Sequence, residues 1–223
     1  MDKETYSDDR VVVLSKDFIF VKVNTREDTL TKKEYSIFAT PTALMANADG
    51  TEIDRVVGFY PTEQFLPIVK DYQKGKNTLG DLEKKVNKNS KDVKLFYTLG
   101  DKYQWRGKND KASEMFTKVV ELDPQNKSGK ADSSAFNLAY LKYRAKDYTG
   151  AIADFEMFKT EYTNPNLVGD AQIYIAASYE KSDNKTEALK QYQKYLETYP
   201  EGENADYAKE QIEKLTAKAE ETK

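Results

Sequence analysis

The sequence predicts two fold classes in one chain: an α/β segment over residues 1–75 and an all-α segment over residues 76–223. In the first segment, a β-branched and aromatic run and a turn between two apolar stretches indicate strands. From residue 79 onward, apolar residues recur with the helical period. Small and aromatic residues recur there at intervals of 39 and 37 residues, which is typical of a helical repeat.

The first segment is predicted to contain a helix remnant, a strand, a helix, two strands and a final helix. The first strand is the run 18–23, and the polar stretch 25–35 suits a short exposed helix. Residues 42–46 and 51–58 flank an Asn-Ala-Asp-Gly turn, so they are expected to form a β-hairpin. Pro61 opens the last helix, whose apolar residues follow at helical spacing.

The second segment repeats a small residue followed four positions later by an aromatic residue. These pairs are Ala112 and Phe116, Ala151 and Phe155, and Ala188 and Tyr192. The small residue lets two helices approach closely and the aromatic ring fills the space beside it, so neighbouring helix pairs must stack. The pattern resembles the tetratricopeptide (TPR) repeat, which implies an α-solenoid. Three units are expected at about 93–126, 132–165 and 169–202, with a leading helix at 79–90 and a C-terminal capping helix at 204–220.

The first segment resembles part of the bacterial thioredoxin-like family. The resemblance rests on Thr40, Pro41 and Thr42 before a strand, on the Asp-Gly turn at 49–50, and on the Arg-Val-Val-Gly run that closes the next strand. It implies a partial thioredoxin-like fold for residues 1–75, with a cis peptide bond at Pro41. Pro41 could present backbone to an extended peptide, although a purely structural role is the favoured interpretation.

The resemblance lacks the first strand and the Cys-x-x-Cys pair of that family. We therefore expect Met1 to be an internal methionine of a longer thioredoxin-like protein. The alternative is a diverged α/β cap whose strands close against each other. The compartment is not predicted: it would be exported or periplasmic if a longer N-terminus carries a signal, and cytoplasmic otherwise.

Composition excludes several classes of function for this sequence. The 223 residues include no Cys and no His, which excludes disulfides, a thiol nucleophile, Cys-ligated zinc and a Ser-His-Asp triad. The net charge of −3 offers no field for nucleic acid. No apolar run approaches the roughly 20 residues of a membrane span. We predict no catalytic residue, metal, cofactor, nucleic-acid partner or membrane-spanning helix.

The TPR resemblance also implies a concave groove lined by the first helix of each repeat. Asp101 stands where chaperone-binding repeats need an Asn to grip a carboxylate, so an apolar extended or helical partner segment is expected instead. The alternative is that the capping helix or the first domain fills this groove. The predicted groove residues are Tyr97, Trp105, Phe136, Tyr140, Tyr143, Arg144 and Ile173.

The predicted function is protein–protein interaction: a scaffold with a TPR groove and a redox-inactive thioredoxin-like domain. The alternative is the C-terminal part of an exported thiol–disulfide oxidoreductase whose Cys pair lies upstream of Met1. A third hypothesis is a purely structural scaffold in an envelope complex. The identity of the partner and the oligomeric state are not predicted.

Overall fold

A computed structural model describes residues 1, 3–86 and 91–220, with the side chains of 218–220 left aside. The chain divides into two compact units, Met1–Ala112 and Ser113–Lys223. The predicted change of fold class is confirmed: an α/β segment comes first, and paired helices follow. The boundary placed between residues 75 and 76 follows the repeat pattern and stays a prediction.

Unit 1 opens with short helical pieces. Helix α1 spans Asp9–Val12, a 3-10 turn follows at Val13–Lys16, and α2 spans Thr29–Glu34. Asp side chains cap both α-helices: Asp8 accepts from the amide of Arg10, and Asp28 accepts from the amide of Thr31. The helix predicted at 25–35 is confirmed, with a later start.

Residues 18–23, predicted as a strand, have no regular secondary structure. The prediction of a strand there is wrong because a strand needs a partner backbone to satisfy its amides and carbonyls. In the described residues the sheet holds only β1 and β2, which pair with each other.

The predicted hairpin is confirmed. Strand β1 spans Thr42–Ala46 and pairs antiparallel with β2 at Glu52–Val57. The turn between them needs a left-handed residue, which Gly50 supplies with φ +85°. The amide of Gly50 donates to the carbonyl of Asn47 over 3.0 Å and closes the turn.

Helix α3 at Thr62–Gln73 begins after Pro61 and covers one face of the hairpin. Its buried positions recur at three- and four-residue spacing, so they form one stripe. Fully burying an apolar side chain of this kind contributes roughly 1.5–3 kcal/mol. The core beneath the helix is built from Val11, Leu14, Val56, Phe65, Leu66, Val69 and Tyr72.

Two helices, α4 and α5, follow the α/β segment in unit 1. Helix α4 spans Leu79–Val86 and packs on α5 at Val93–Gln104, which Asp92 caps through the amide of Leu95. Residues 87–90 of the predicted leading helix lie outside the described residues. The Tyr103 hydroxyl donates to Glu83 over 2.6 Å and links the two helices. Helix α6, Asn109–Leu122, contains the division between the units.

Unit 2 continues as a stack of helices in which each packs on the next, and α7 also packs on α9. The small and aromatic pairs of the repeat are buried as expected: Ala151, Phe155, Ala188 and Tyr192 have no exposed surface. The bounds are α7 Ala131–Arg144, α8 Tyr148–Glu161, α9 Pro165–Lys181, α10 Lys185–Thr198 and α11 Ala205–Glu220.

Candidate protein-interaction surface

Three partly exposed tyrosines meet where α7 packs beside α9. Tyr140 and Tyr143 lie one turn apart on α7, and Tyr174 lies on α9. The Tyr174 ring centroid is 5.1 Å from that of Tyr140 and 5.2 Å from that of Tyr143, with edge-to-face angles of 62° and 67°. The rings of Tyr140 and Tyr143 are nearly parallel, at 16°. We call these three residues the tyrosine face.

One buried ring and one partly buried ring support Tyr174 from below. Phe155 has no exposed surface and stacks on Tyr174 at 5.5 Å and 11°. Phe136 lies edge-on to Tyr174 at 5.8 Å and edge-on to Phe155 at 5.3 Å. Each such aromatic pair contributes about 0.5–1.5 kcal/mol beyond its buried area. Tyr174 is therefore held by packing from below, and it contacts both Tyr140 and Tyr143.

The hydroxyl groups of Tyr143 and Tyr174 stay protonated at neutral pH. Burial raises the pKa of Tyr143 to about 12, with further contributions from Tyr207 and Tyr148. Burial also raises the pKa of Tyr174 well above its usual range, and the neighbouring Tyr140 adds to this effect. Each hydroxyl can therefore donate a hydrogen bond to a partner.

Charged groups lie around the tyrosine face. The guanidinium carbon of Arg144 lies 6.0 Å from the Tyr140 ring centroid, at the limit of a cation–π contact. Asp170 on α9 accepts a hydrogen bond from the Asn204 amide over 2.7 Å. Glu180 lies near the other end of α9 and accepts from the Tyr192 hydroxyl over 2.9 Å.

The structure places the other predicted groove residues differently. Ile173 is only 7% exposed and packs with Ala176 and Tyr192 in the core, so it offers little surface to a partner. Phe136 supports the tyrosine face from within. Tyr97 and Trp105 lie on or at the end of α5 in unit 1, where both are partly buried.

The surroundings of Trp105 come from the α/β segment of its own unit. Its carbonyl accepts from the Arg55 guanidinium over 2.8 Å, and its indole nitrogen donates to Asp101 over 3.0 Å. Beside it lies a cavity of about 360 Å³, also lined by Tyr60 and Tyr72. At α5, the α/β segment thus occupies surface that the sequence assigned to the groove.

A buried ionic cluster fixes β2 against α5. Asp54 has no exposed surface, and its carboxylate accepts from Lys102 over 2.8 Å and from Arg106 over 2.7 Å. The same carboxylate accepts from the amides of Leu79 and Arg55, each over 2.7 Å. Burial lowers the pKa of Lys102, and the Asp54 charge opposes that shift. No sequence motif signalled this cluster.

Pro41 lies at the start of β1. The Thr40–Pro41 peptide bond is cis, and the Pro41 carbonyl accepts from the amide of Gly58 over 2.8 Å. The hydroxyl of Thr42 donates to the carbonyl of Ala39 over 2.8 Å. These contacts account for Pro41 as a shaping residue at the strand entry.

Family models match both parts of the chain. A thioredoxin-like domain model matches residues 1–73. The first segment is therefore similar to a thioredoxin-like domain. The YfiO model, described as an outer membrane lipoprotein, matches residues 128–212, which include the helix pairs from α7 to α10. The resemblance to a thioredoxin-like domain fused to TPR-type repeats is thereby confirmed.

Solved structures similar to this chain include three of a protein named MamA. The first is 19% identical, covers 58% of this chain and 65% of its own length, and has a TM-score of 0.48. The second is 16% identical over 74% and 98% of the two chains, with a TM-score of 0.48. The third, a double mutant, is 16% identical over 71% and 94%, with a TM-score of 0.49. This chain thus spans less than two thirds of the first MamA chain. No curated protein sequence matches significantly.

Two kinds of feature are absent from the described part of the chain. No helix there is both long and apolar enough to cross a membrane. No three acidic side chains cluster there in a way that could hold a metal ion.

Proposed function

We propose that this chain is a non-catalytic protein-interaction module, and that the tyrosine face of unit 2 binds a segment of a partner protein. The observation that carries the proposal is the preformed contact of Tyr174 with both Tyr140 and Tyr143 at 5.1 and 5.2 Å. Partly exposed rings that are already fixed lose little side-chain entropy on binding. Tyrosine is also among the residues that most often anchor interfaces.

The thioredoxin-like segment has a supporting role in this proposal. The sequence contains no Cys, so the segment cannot exchange disulfides through a cysteine of its own. The ionic cluster around Asp54 instead joins it to α5, which the sequence predicts as the first helix of the first repeat. Its redox inactivity belongs to the proposal and is tested by a disulfide-reduction assay of the purified chain, in which we expect no activity.

Peptide display selects ligands for the tyrosine face from a random library. Peptides selected on the intact chain would be measured by fluorescence anisotropy against Tyr140→Ala and Tyr143→Ala. We expect each substitution to cost about 1–2 kcal/mol of binding free energy, as interface anchors do, with unchanged far-UV circular dichroism. Met157→Ala is the matched control because Met157 is 54% exposed on α8, outside this face.

A double variant combines Tyr140→Ala and Tyr143→Ala. If the selected peptides bind this variant and the intact chain with equal affinity, the tyrosine face is not the binding site. The same measurement with Trp105→Ala tests whether the groove predicted from the sequence extends to α5. A loss of peptide affinity in Trp105→Ala would place Trp105 in the groove despite its contacts with Arg55 and Asp101.

A further inference from the structure

Two carboxylates flank the tyrosine face. Asp170 and Glu180 form no ion pair among the described residues, and each accepts a side-chain hydrogen bond from a neutral group. Lys214, which lies close enough to interact with Glu180, is held by Glu210 over 2.5 Å. The two carboxylates thus bring two negative charges to this surface, where Arg144 beside the Tyr140 ring brings one positive charge.

The two carboxylates both act on the tyrosine face. Asp170 contributes to the raised pKa of Tyr174, and Glu180 contributes to that of Tyr143. Burial raises the pKa of Asp170 itself, and the nearby Glu203 adds to this shift. A cation brought by a partner would relieve that cost, and charge-assisted hydrogen bonds are stronger than neutral ones. Ring faces of tyrosine also attract cations.

The spacing of these two carboxylates indicates how long a peptide segment must be to reach both of them. Asp170 and Glu180 are ten positions apart on α9, which corresponds to about 15 Å along the helix at 1.5 Å per residue. An extended peptide advances about 3.1–3.4 Å per residue, so about five residues cover this length. Between the two positions the surface offers the rings of the tyrosine face, which suit apolar side chains.

We propose that the partner segment is an extended peptide with two basic side chains about five residues apart and apolar residues between them. The basic side chains pair with Asp170 and Glu180, and the apolar residues lie on the tyrosine face. This inference rests on the proposed function and adds the chemistry of its ligand. Proline suits the intervening positions because it pre-orders the extended backbone.

Labelled synthetic peptides test the proposal directly. The first has two lysines separated by four residues, alternating proline and leucine. A second has its lysines separated by one residue, and a third has glutamate in place of both lysines. In fluorescence anisotropy at 150 mM salt with the full chain, we expect the first peptide to bind at least about 10-fold more tightly than either control.

Substitutions on the protein identify the contacts. Glu180→Gln and Asp170→Asn are each expected to weaken the first peptide about 3- to 10-fold. A peptide in which norleucine replaces one lysine should lose its sensitivity to one of the two substitutions. Far-UV circular dichroism checks that both variants fold. Lys190→Gln, a polar change on α10 where Lys190 is exposed, serves as the control that should leave binding unchanged.

The outcomes separate this inference from the proposed function. Equal binding of the lysine and glutamate peptides, or no loss with either charge variant, overturns the basic-peptide proposal. If display-selected peptides without basic residues still depend on Tyr143, the tyrosine face remains the binding site and only the ligand chemistry is wrong. If no peptide of either kind depends on Tyr143, both proposals fail.

Discussion

At the scale of single residues, Asp54 is a fully buried carboxylate whose environment must compensate its charge. Its buried carboxylate receives four hydrogen bonds, two from backbone amides and two from the cations Lys102 and Arg106. Both cations are nearly buried and pair with this carboxylate, and Arg106 also pairs with Glu52 over 2.7 Å. Removing one member of a buried ionic cluster is costly because its partners stay buried without a counter-charge.

Asp54→Asn should therefore lower the free energy of unfolding of unit 1 by about 3–5 kcal/mol. Urea unfolding followed by tryptophan fluorescence measures this, because the only tryptophan of the sequence, Trp105, lies in that unit. Asp206→Asn is the matched control, since Asp206 is a fully exposed carboxylate paired with Lys209, and a change below about 0.5 kcal/mol is expected there. A similar small change at both positions would contradict the structural role of Asp54.

Replacing Asp170 should have the opposite effect on stability from replacing Asp54. Because burial raises its pKa in the folded chain, ionised Asp170 reduces stability at pH values above that pKa, and this cost disappears below the ordinary pKa of about 3.9. Asp170→Asn keeps an oxygen to accept from Asn204, so it should stabilise the chain at pH 7 by less than about 1 kcal/mol. Urea midpoints from circular dichroism at pH 7 and pH 3 test this, and the two proteins should converge at pH 3.

A variant less stable than the original chain at pH 7 would contradict this expectation. The combination of better stability with weaker binding of basic peptides would show that Asp170 is retained for recognition rather than for folding.

At the scale of elements, local signals were sufficient for some structures and insufficient for others. The hairpin was predictable because its turn sequence and flanking apolar runs are adjacent in the chain. The strand predicted at 18–23 failed because strand formation depends on a partner backbone that sequence periodicity does not supply. Helix starts are also set locally, but the cap Asp28 places the start of α2 later than the start predicted at residue 25.

Long-range partners explain what the sequence did not reveal in the candidate site. Asp54 meets Lys102 across 48 positions of sequence, and no motif links such residues. Tyr174 was overlooked because counting repeat positions selected its neighbour Ile173, which the structure places in the core. Tyr140 and Tyr143 were predicted as groove residues, which stays a prediction, and their contact with Tyr174 depends on the packing of α7 against α9.

The end of α5 shows how one residue terminates an element. Gly107 has φ +69°, and the amide that follows it donates to the carbonyl of Tyr103, which closes the helix end. Gly107→Ala should destabilise unit 1 by about 1–2 kcal/mol because an L-residue is strained at this φ. A new Cβ would also lie 3.0 Å from the Phe38 ring.

Gly80→Ala provides the matched comparison in the same unit. Gly80 lies within α4 with open space around its added Cβ, so alanine should stabilise the helix by up to about 1 kcal/mol. Urea unfolding monitored by Trp105 fluorescence measures both variants. If the free energy of unfolding changed with the same sign in Gly107→Ala and Gly80→Ala, the argument from backbone conformation would be wrong.

At the scale of the whole molecule, apolar exposure is concentrated near the start of the chain. Ile19 is 94% exposed and Val21 is 77% exposed, both in the run without regular structure. An exposed β-branched run that lies outside the sheet is a ready site for association with another chain. The formal charge of −3 at pH 7 gives modest repulsion between copies, and it vanishes near the pI of about 5.4.

Self-association should therefore be strongest near pH 5.4 and should depend on this run. Ile19→Ser with Val21→Ser is expected to reduce the concentration-dependent rise in apparent mass, measured by sedimentation velocity at pH 5.4 and pH 8, without changing net charge. Leu122→Ser with Met157→Ser removes two other exposed apolar side chains from helices and should leave association unchanged. If both double variants reduce association equally, the total exposed apolar surface controls self-association. Residues 18–23 then make no specific contribution. If only the first double variant reduces association, pairing through residues 18–23 is the mechanism, because charge and the number of apolar side chains removed are matched.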